Sequence, residues 1–171
     1  MSYFEQGQEL FAIGNYNEAI AAFRKAQKAE DEPADELFAA LGHAYYRLED
    51  LTTAVFNYSQ AILHNPNEAY HLRFRGIAYL EQRQYYKALA DFNAAIRLAP
   101  YDDINFWLRG HIFAALGDHK WAINSYSQAI DLNPTVSDYF ADRATAYEKV
   151  GNGRLAAADR QRQASLGEFR K

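Results

Sequence analysis

The chain has 171 residues, 49% of them hydrophobic and 15% aromatic, which bounds it to one domain or a small pair with ample material for a continuous core. A net charge of −4, from 18 basic and 22 acidic residues, argues against a nucleic-acid or anionic-membrane surface, because phosphate binding needs a basic patch. The absence of cysteine excludes a disulfide framework and thiol chemistry.

The N-terminal stretch MSYFEQGQEL has no basic start and no apolar run, so no signal peptide is expected. No segment approaches the roughly 20 apolar residues of a membrane span. A cytoplasmic location is the expectation. From there, apolar residues at helical spacing predict ten helices in pairs: 2–13 with 16–29, 35–48 with 52–64, 69–82 with 85–98, 103–116 with 119–131, and 137–150 with 153–166. Short turns join the pairs at Gly14-Asn15, Glu49-Asp50, Gly117-Asp118 and Gly151-Asn152-Gly153. Glycine there supplies the left-handed residue that satisfies helix-end carbonyls. Asn15 and Asp118 are expected N-caps. Pro66, Pro100 and Pro134 end the second helices, and Asn65 is pushed out of helical dihedrals.

The pairs repeat with a period of 34 residues. Gly42 returns as Gly76, Gly110 and Ala144; Tyr45 as Tyr79, Phe113 and Tyr147; Ala54 as Ala88, Ala122 and Ala156; Tyr58 as Phe92 and Tyr126. Upstream the spacing is 35, with Gly7, Leu10, Ala19, Phe23 and Ala26 in register, the extra residue falling within Asp31–Ala34. A two-helix unit cannot bury its apolar face alone, so each stacks on its neighbour.

These columns resemble the tetratricopeptide repeat family over essentially the whole chain, with five repeats near 1–33, 35–68, 69–102, 103–136 and 137–170. The aromatic near each unit's start corresponds to Tyr3, Phe38, Leu72, Phe106 and Phe140. Repeat one departs from the pattern with Asp31 in the proline register, and repeat five with Arg160 in the aromatic column. The resemblance implies an all-α fold: one right-handed solenoid domain, residues 1–171, with first helices on the concave face. Arg160, within a locally basic tail of Arg154, Arg162, Arg170 and Lys171, reads as part of a polar cap that ends the array.

No phosphate loop, metalloprotease motif or nucleophile elbow is present, so neither an enzyme nor a cofactor is expected. His43 and His111 share a column but stand two repeats apart, about 20 Å at the 8–10 Å of helix packing, too far to share a metal. Arg75, Arg109 and Arg143 occupy the column of Leu41. Asp91 and Asp159 follow two of them by sixteen residues, which predicts Arg75–Asp91 and Arg143–Asp159 ion pairs. Arg109 faces Ser125 and must pair elsewhere. The family's carboxylate clamp for chaperone C-termini needs Lys and Asn, then Asn, then Lys and Arg, on successive first helices. The matching positions hold Phe4, Gln8, Ala40, Tyr70 and Phe74 in the first frame. They hold Ala39, His43, Phe74, Ile104 and Leu108 in the second, and Arg73, Ile77, Leu108, Asp138 and Asp142 in the third. No frame supplies the clamp, so a chaperone-binding cochaperone role is disfavoured.

What remains is a protein-interaction scaffold, in the manner of assembly factors for larger complexes. The outward columns of the first helices are aromatic and apolar: His43, Tyr46 and Arg47; Tyr70, Arg73, Phe74 and Ile77; Ile104, Trp107, Leu108 and His111. They are expected to form a groove for an apolar or amphipathic peptide or helix of another protein. Arg47 and Arg73 would meet an acidic residue, and Asp138, Asp142 and Glu148 the basic end. The alternative is self-association of the chain as a homo-oligomer through Phe56, Tyr86 and Trp121 on the second helices.

Overall fold

The computed structural model describes residues 1–29 and 33–168; the expectations placed on Asp31, Arg170 and Lys171 fall outside them. The fold is all-α. In chain order the described residues form α1 (Tyr3–Ala12), α2 (Tyr16–Ala29), α3 (Ala34–Arg47), α4 (Leu51–His64), α5 (Ala69–Glu81), α6 (Tyr85–Leu98), α7 (Asp103–Ala115), α8 (His119–Leu132), α9 (Ser137–Lys149) and α10 (Gly153–Glu168). They include no strand. None of these helices is long and apolar enough to cross a membrane. The helices group into two compact units, Met1–Asp91 and Phe92–Lys171, with the division inside α6.

Each turn between paired helices closes the same way. The amide three residues past the helix end reaches back five residues to a carbonyl of the last turn: Asn15 to Leu10, Asp50 to Tyr45, Gln84 to Tyr79, Asp118 to Phe113 and Asn152 to Tyr147, at 2.8–3.0 Å. The motif needs one left-handed residue. Gly14, Gly117 and Gly151 supply it at φ of 86, 81 and 77°. Glu49 and Arg83 supply it at 61 and 57°, a strained choice for a residue with a side chain. Asn65 and Asn133, each before a proline, sit at φ −138 and −141°, outside the helical region as expected.

Capping follows the sequence in part. Asp50 caps α4 through Thr53 N–H at 3.1 Å. Ser2 and Glu5 form a reciprocal capping box on α1 that the repeat pattern does not announce. Asp118 was expected to cap α8 with its side chain and does not. The Trp121 amide that it would serve is already bonded to its own carbonyl, at 2.9 Å.

The small and aromatic columns build the core. Ala19, Ala54, Ala88 and Ala122 are fully buried, and Ala156 nearly so. A Cβ added at Gly42 would lie 2.6 Å from the Tyr58 ring, and Gly7 and Gly110 are as tight against Phe23 and Tyr126. In Met1–Asp91 one cluster gathers Phe4, Ile20, Phe23, Leu37 and Leu41, and a second gathers Ala54, Tyr58 and Ala78 with Tyr46 and Phe74 against it. In the second unit Phe106, Ile130, Tyr139 and Phe140 form one cluster, and Ala122, Tyr126 and Ala146 another. Trp107 packs on both of these.

The arginine column threads this core with charge. Arg75 grips Asp91 with two parallel bonds of 2.9 and 2.7 Å, and Arg143 grips Asp159 with two of 2.8 Å, the expected pairs. The third donor of each turns to the preceding second helix, Arg75 to Ser59 at 3.1 Å and Arg143 to Ser127 at 2.9 Å. Each guanidinium therefore pins three helices. Arg109 keeps the geometry with neutral acceptors: Ser125, Asn93 and Gln128. Burial pulls its pKa below the ordinary arginine value.

Candidate functional site

In the first unit, α3 and α5 bring His43, Tyr70, Phe74 and Arg73 together. Helical spacing puts Tyr70, Arg73, Phe74 and Ile77 on neighbouring turns of α5. His43 is the hinge of the group. Its Nδ1 lies 2.8 Å from the Tyr58 hydroxyl and its Nε2 3.0 Å from that of Tyr70. Its ring meets Phe74 edge-on at 4.4 Å, and Tyr70 leans on Phe74 at 4.3 Å. Arg73 lies over both rings, 5.7 Å from Tyr70 and 6.0 Å from Phe74. Tyr70 remains 40% exposed, while Phe74, Ile77 and Tyr46 are half-buried. Arg47 is exposed and sits over the Tyr16 ring, 4.8 Å away.

Burial lowers the His43 pKa to about 4, with nearby His71 adding to the effect. An unfolded histidine titrates near 6.5, so the unfolded chain takes up this proton first as pH falls. The stability that neutral His43 contributes is complete above pH 6.5 and is lost between 6.5 and 4. We expect a loss of about 3 kcal/mol across that window. Urea titrations at a series of pH values would check it. His43→Asn should flatten the slope there, and an unchanged slope would mean that His43 is not the group responsible.

In the second unit, α7 carries Ile104, Trp107, Leu108 and His111. The Trp107 indole N–H donates to Asp142 Oδ2 at 2.7 Å, and His111 Nε2 lies 3.1 Å from the same oxygen. Trp107 also meets His111 edge-on at 4.7 Å and Tyr139 at 5.6 Å. Tyr139 in turn donates to Asp103 at 2.8 Å. Burial raises the Asp142 pKa, but the bonds from His111 and Trp107 outweigh it and hold the carboxyl below its ordinary value. Ile104 is 41% exposed; Trp107, Leu108 and His111 are half-buried. Trp107 is thus an anchored core-edge residue. Replacing it removes packing as well as any partner contact, so an unchanged melting point for Trp107→Ala is not expected. Of the carboxylates expected at the repeat-five end, Asp142 is held by Trp107 and His111, and Glu148 pairs with Arg160 at 2.8 Å.

The repeat columns did not point to a cavity of about 550 Å³ in the first unit, lined by α1, α3, the α4–α5 joint and the start of α5, with His43 and Tyr70 of the ring group among its residues. Asp35 organises its wall. Asn65 donates to Asp35 Oδ2 at 2.9 Å, and His71 Nε2 lies 3.4 Å from that oxygen. These bonds, the Asn65 one foremost, hold the Asp35 carboxyl below its usual range against the opposing effect of burial. One signal was available: Asp35–His71 and Asp103–Tyr139 both span 36 residues, one repeat plus two. Among the described residues no three His, Asp or Glu side chains gather at metal-binding distance. On the second helices, Phe56, Tyr86 and Trp121 stand 59, 77 and 60% exposed.

Helix pairs at a 34-residue period, with open aromatic positions on their first helices, define a helical-repeat scaffold. The chain belongs to the tetratricopeptide repeat family: models of that repeat match residues 4–55 and 39–103, and a further one residues 105–136. It is 30% identical to human Superkiller complex protein 3 (Homo sapiens) over 142 residues, 81% of this chain and 9% of that protein. It is 31% identical to serine/threonine-protein phosphatase 5 of Rattus norvegicus over 121 residues, 66% of this chain and 24% of the phosphatase. The chain therefore spans a tenth to a quarter of these relatives. Among solved structures, a crystal structure of MamA superposes with a TM-score of 0.88 at 21% identity, covering 96% of this chain and 95% of that one. MamA 41-end from Desulfovibrio magneticus RS-1 gives 0.88 at 22% identity, covering 98% and 94%. At such identities the likeness speaks for the fold.

Proposed function

We propose that this chain is a non-enzymatic scaffold that holds apolar or amphipathic segments of partner proteins on its first helices. The observation that carries the reading is the half-open ring group of Tyr70, Phe74 and His43 under Arg73. Aromatic and arginine side chains are the types enriched in binding hot spots. Tyr70 spends its hydroxyl on His43 while leaving 40% of its surface to solvent, so the ring is preorganised yet open. In the second unit Ile104 offers the exposed apolar position, beside Trp107 and Leu108. Membership of the repeat family supports partners that are proteins. An assembly-factor role and a cytoplasmic location are part of the same proposal.

Selection of peptides from a random display library on the full chain tests the reading. The retained peptides should be apolar or amphipathic. Tyr70→Ala should weaken the tightest peptides held by the first unit, and Ile104→Asp those held by the second, each by about tenfold or more, about 1.4 kcal/mol, with little change in melting. Polar selected sequences, or affinities indifferent to both variants, would count against it. A second reading, self-association, is favoured by the exposure of Phe56, Tyr86 and Trp121. It predicts a mass that rises with concentration in light scattering, and a strict monomer would dismiss it.

A further inference from the structure

Among the described residues no carboxylate pairs with Arg109, whereas Arg75 and Arg143 in the same column each grip one. Ser125 stands where those two meet Asp91 and Asp159, sixteen residues on. It takes the Nε hydrogen at 3.1 Å and is itself fully buried. Gln128 takes a hydrogen from Nη2, and Asn93 one from Nη1 at 3.4 Å. The Phe106 ring lies 5.3 Å from the guanidinium carbon. These contacts hold a half-buried cation in place, so it cannot swing out to full hydration as a surface arginine does. Asp131, three residues past Gln128 on α8, acts on Arg143 instead.

A second observation is the surplus of donors around this charge. A guanidinium has five N–H groups and no acceptor. Three are used, which leaves one hydrogen on each η nitrogen. Asn93 and Gln128 can meet the guanidinium only with their amide oxygens, so the NH2 group of each is left for another acceptor. Neither NH2 group donates to any of the described residues. Neither nitrogen is sealed from solvent, since the buried side-chain atoms without a partner lie on His71, Asn105 and His111. Spare donors from a fixed cation and two flanking amides therefore gather at one place, with no acidic group among them. That is the complement of an anion.

We propose that Arg109, Asn93 and Gln128 form a binding point for one carboxylate, the side chain of an aspartate or glutamate on a partner protein. A carboxylate is favoured over other anions because that group satisfies Arg75 and Arg143 in the same column. Its two oxygens take the unused η hydrogens and the amide hydrogens of Asn93 and Gln128. The planar guanidinium matches such a group, and bonds to a charged acceptor are stronger than those Arg109 makes to neutral ones. Asn93 and Gln128 stand on the second helices α6 and α8, whereas Tyr70 and Ile104 stand on first helices. The binding point is thus separate from the ring group and does not depend on the peptide-holding reading.

The test uses the full chain and a probe one residue long, N-acetyl-glutamate methylamide, against its neutral isostere N-acetyl-glutamine methylamide. At about pH 7.5 the glutamate carboxylate is ionised. Constant ionic strength keeps general screening equal in the two titrations. The glutamate probe should shift the Arg109 Nε–H signal and the side-chain NH2 signals of Asn93 and Gln128 saturably, and the glutamine probe should bind about tenfold more weakly. Two variants should abolish that preference while the rest of the spectrum stays that of the folded chain. Ser125→Asp installs the carboxylate that the other two arginines have, and Arg109→Leu copies Leu41 of repeat two. Equal binding of the two probes, no saturable shift at those three side chains, or a preference that survives in either folded variant would overturn the proposal. A phosphoserine probe of the same length separates the anions: saturable binding of that probe alone would overturn the carboxylate assignment.

Discussion

Gly42→Val is expected to destabilise the Met1–Asp91 unit by about 3 kcal/mol or more, read as an early transition in urea or thermal melts. The Cβ itself would fall 2.6 Å from a Tyr58 ring carbon, closer than carbon atoms approach. Tyr58 cannot yield. It is fully buried, and its hydroxyl is tied to His43. The clash is specific to the ring, so Tyr58→Leu in the same chain should recover part of the loss, and the two changes should be non-additive. Gly153→Ala is the control, since nothing lies within 4 Å of a Cβ there. Repeat five already carries the rule: where Ala144 replaces the glycine, Arg160 replaces the ring. A Gly42→Val chain as stable as the parent would show that the helices of the second repeat do not pack as described.

Asp91→Ala is expected to cost about 3–5 kcal/mol, because it strands a half-buried guanidinium that had two parallel bonds to that carboxylate. The loss measures the stranded charge rather than the worth of the pair. Repeat two shows how the same place is filled without charge. Leu41 stands in the arginine column, and Asn57, sixteen residues on, donates to its own helix at Thr53 O, 2.8 Å away. Both are buried. The double variant Arg75→Leu/Asp91→Asn copies that arrangement and should regain most of the stability lost by Asp91→Ala. Urea unfolding of the three proteins decides it. A double variant no better than the single would mean that the ion pair does more than avoid an unpaired charge.

The ion pairs were legible before any coordinates from the fixed sixteen-residue offset between paired helices, which the glycine and ring columns share. Gly42 with Tyr58, Arg75 with Asp91 and Arg143 with Asp159 all stand at that spacing. Helix limits were readable for the same reason, since the left-handed turn residue and the proline recur in register. Contacts between neighbouring repeats that do not return in every unit were not. The Asn65–Asp35–His71 group spans 30 and 36 residues; two repeats on, Asn133, Asp103 and Tyr139 hold its places, and the change from His to Tyr and the gap of a whole repeat hide the match. Nothing in a single column marks His43 as the residue between two tyrosine hydroxyls, or Trp107 as a donor to Asp142. Asp118 illustrates a local limit. Its type suits a cap, but its own carbonyl holds the amide that the cap would serve. The outward columns of the first helices read as uniformly open, yet Phe74 and Trp107 give much of their surface to the core and leave Tyr70 and Ile104 as the more accessible positions.

The most direct measurement is chemical-shift mapping of the tightest selected peptide on the labelled full chain. The scaffold reading predicts that the perturbed amides fall on first helices, on α3 and α5 around His43, Tyr70 and Phe74 in the first unit or on α7 around Ile104 and Leu108 in the second. Perturbation centred instead on α4, α6 and α8 around Phe56, Tyr86 and Trp121, with those first helices silent, would contradict it.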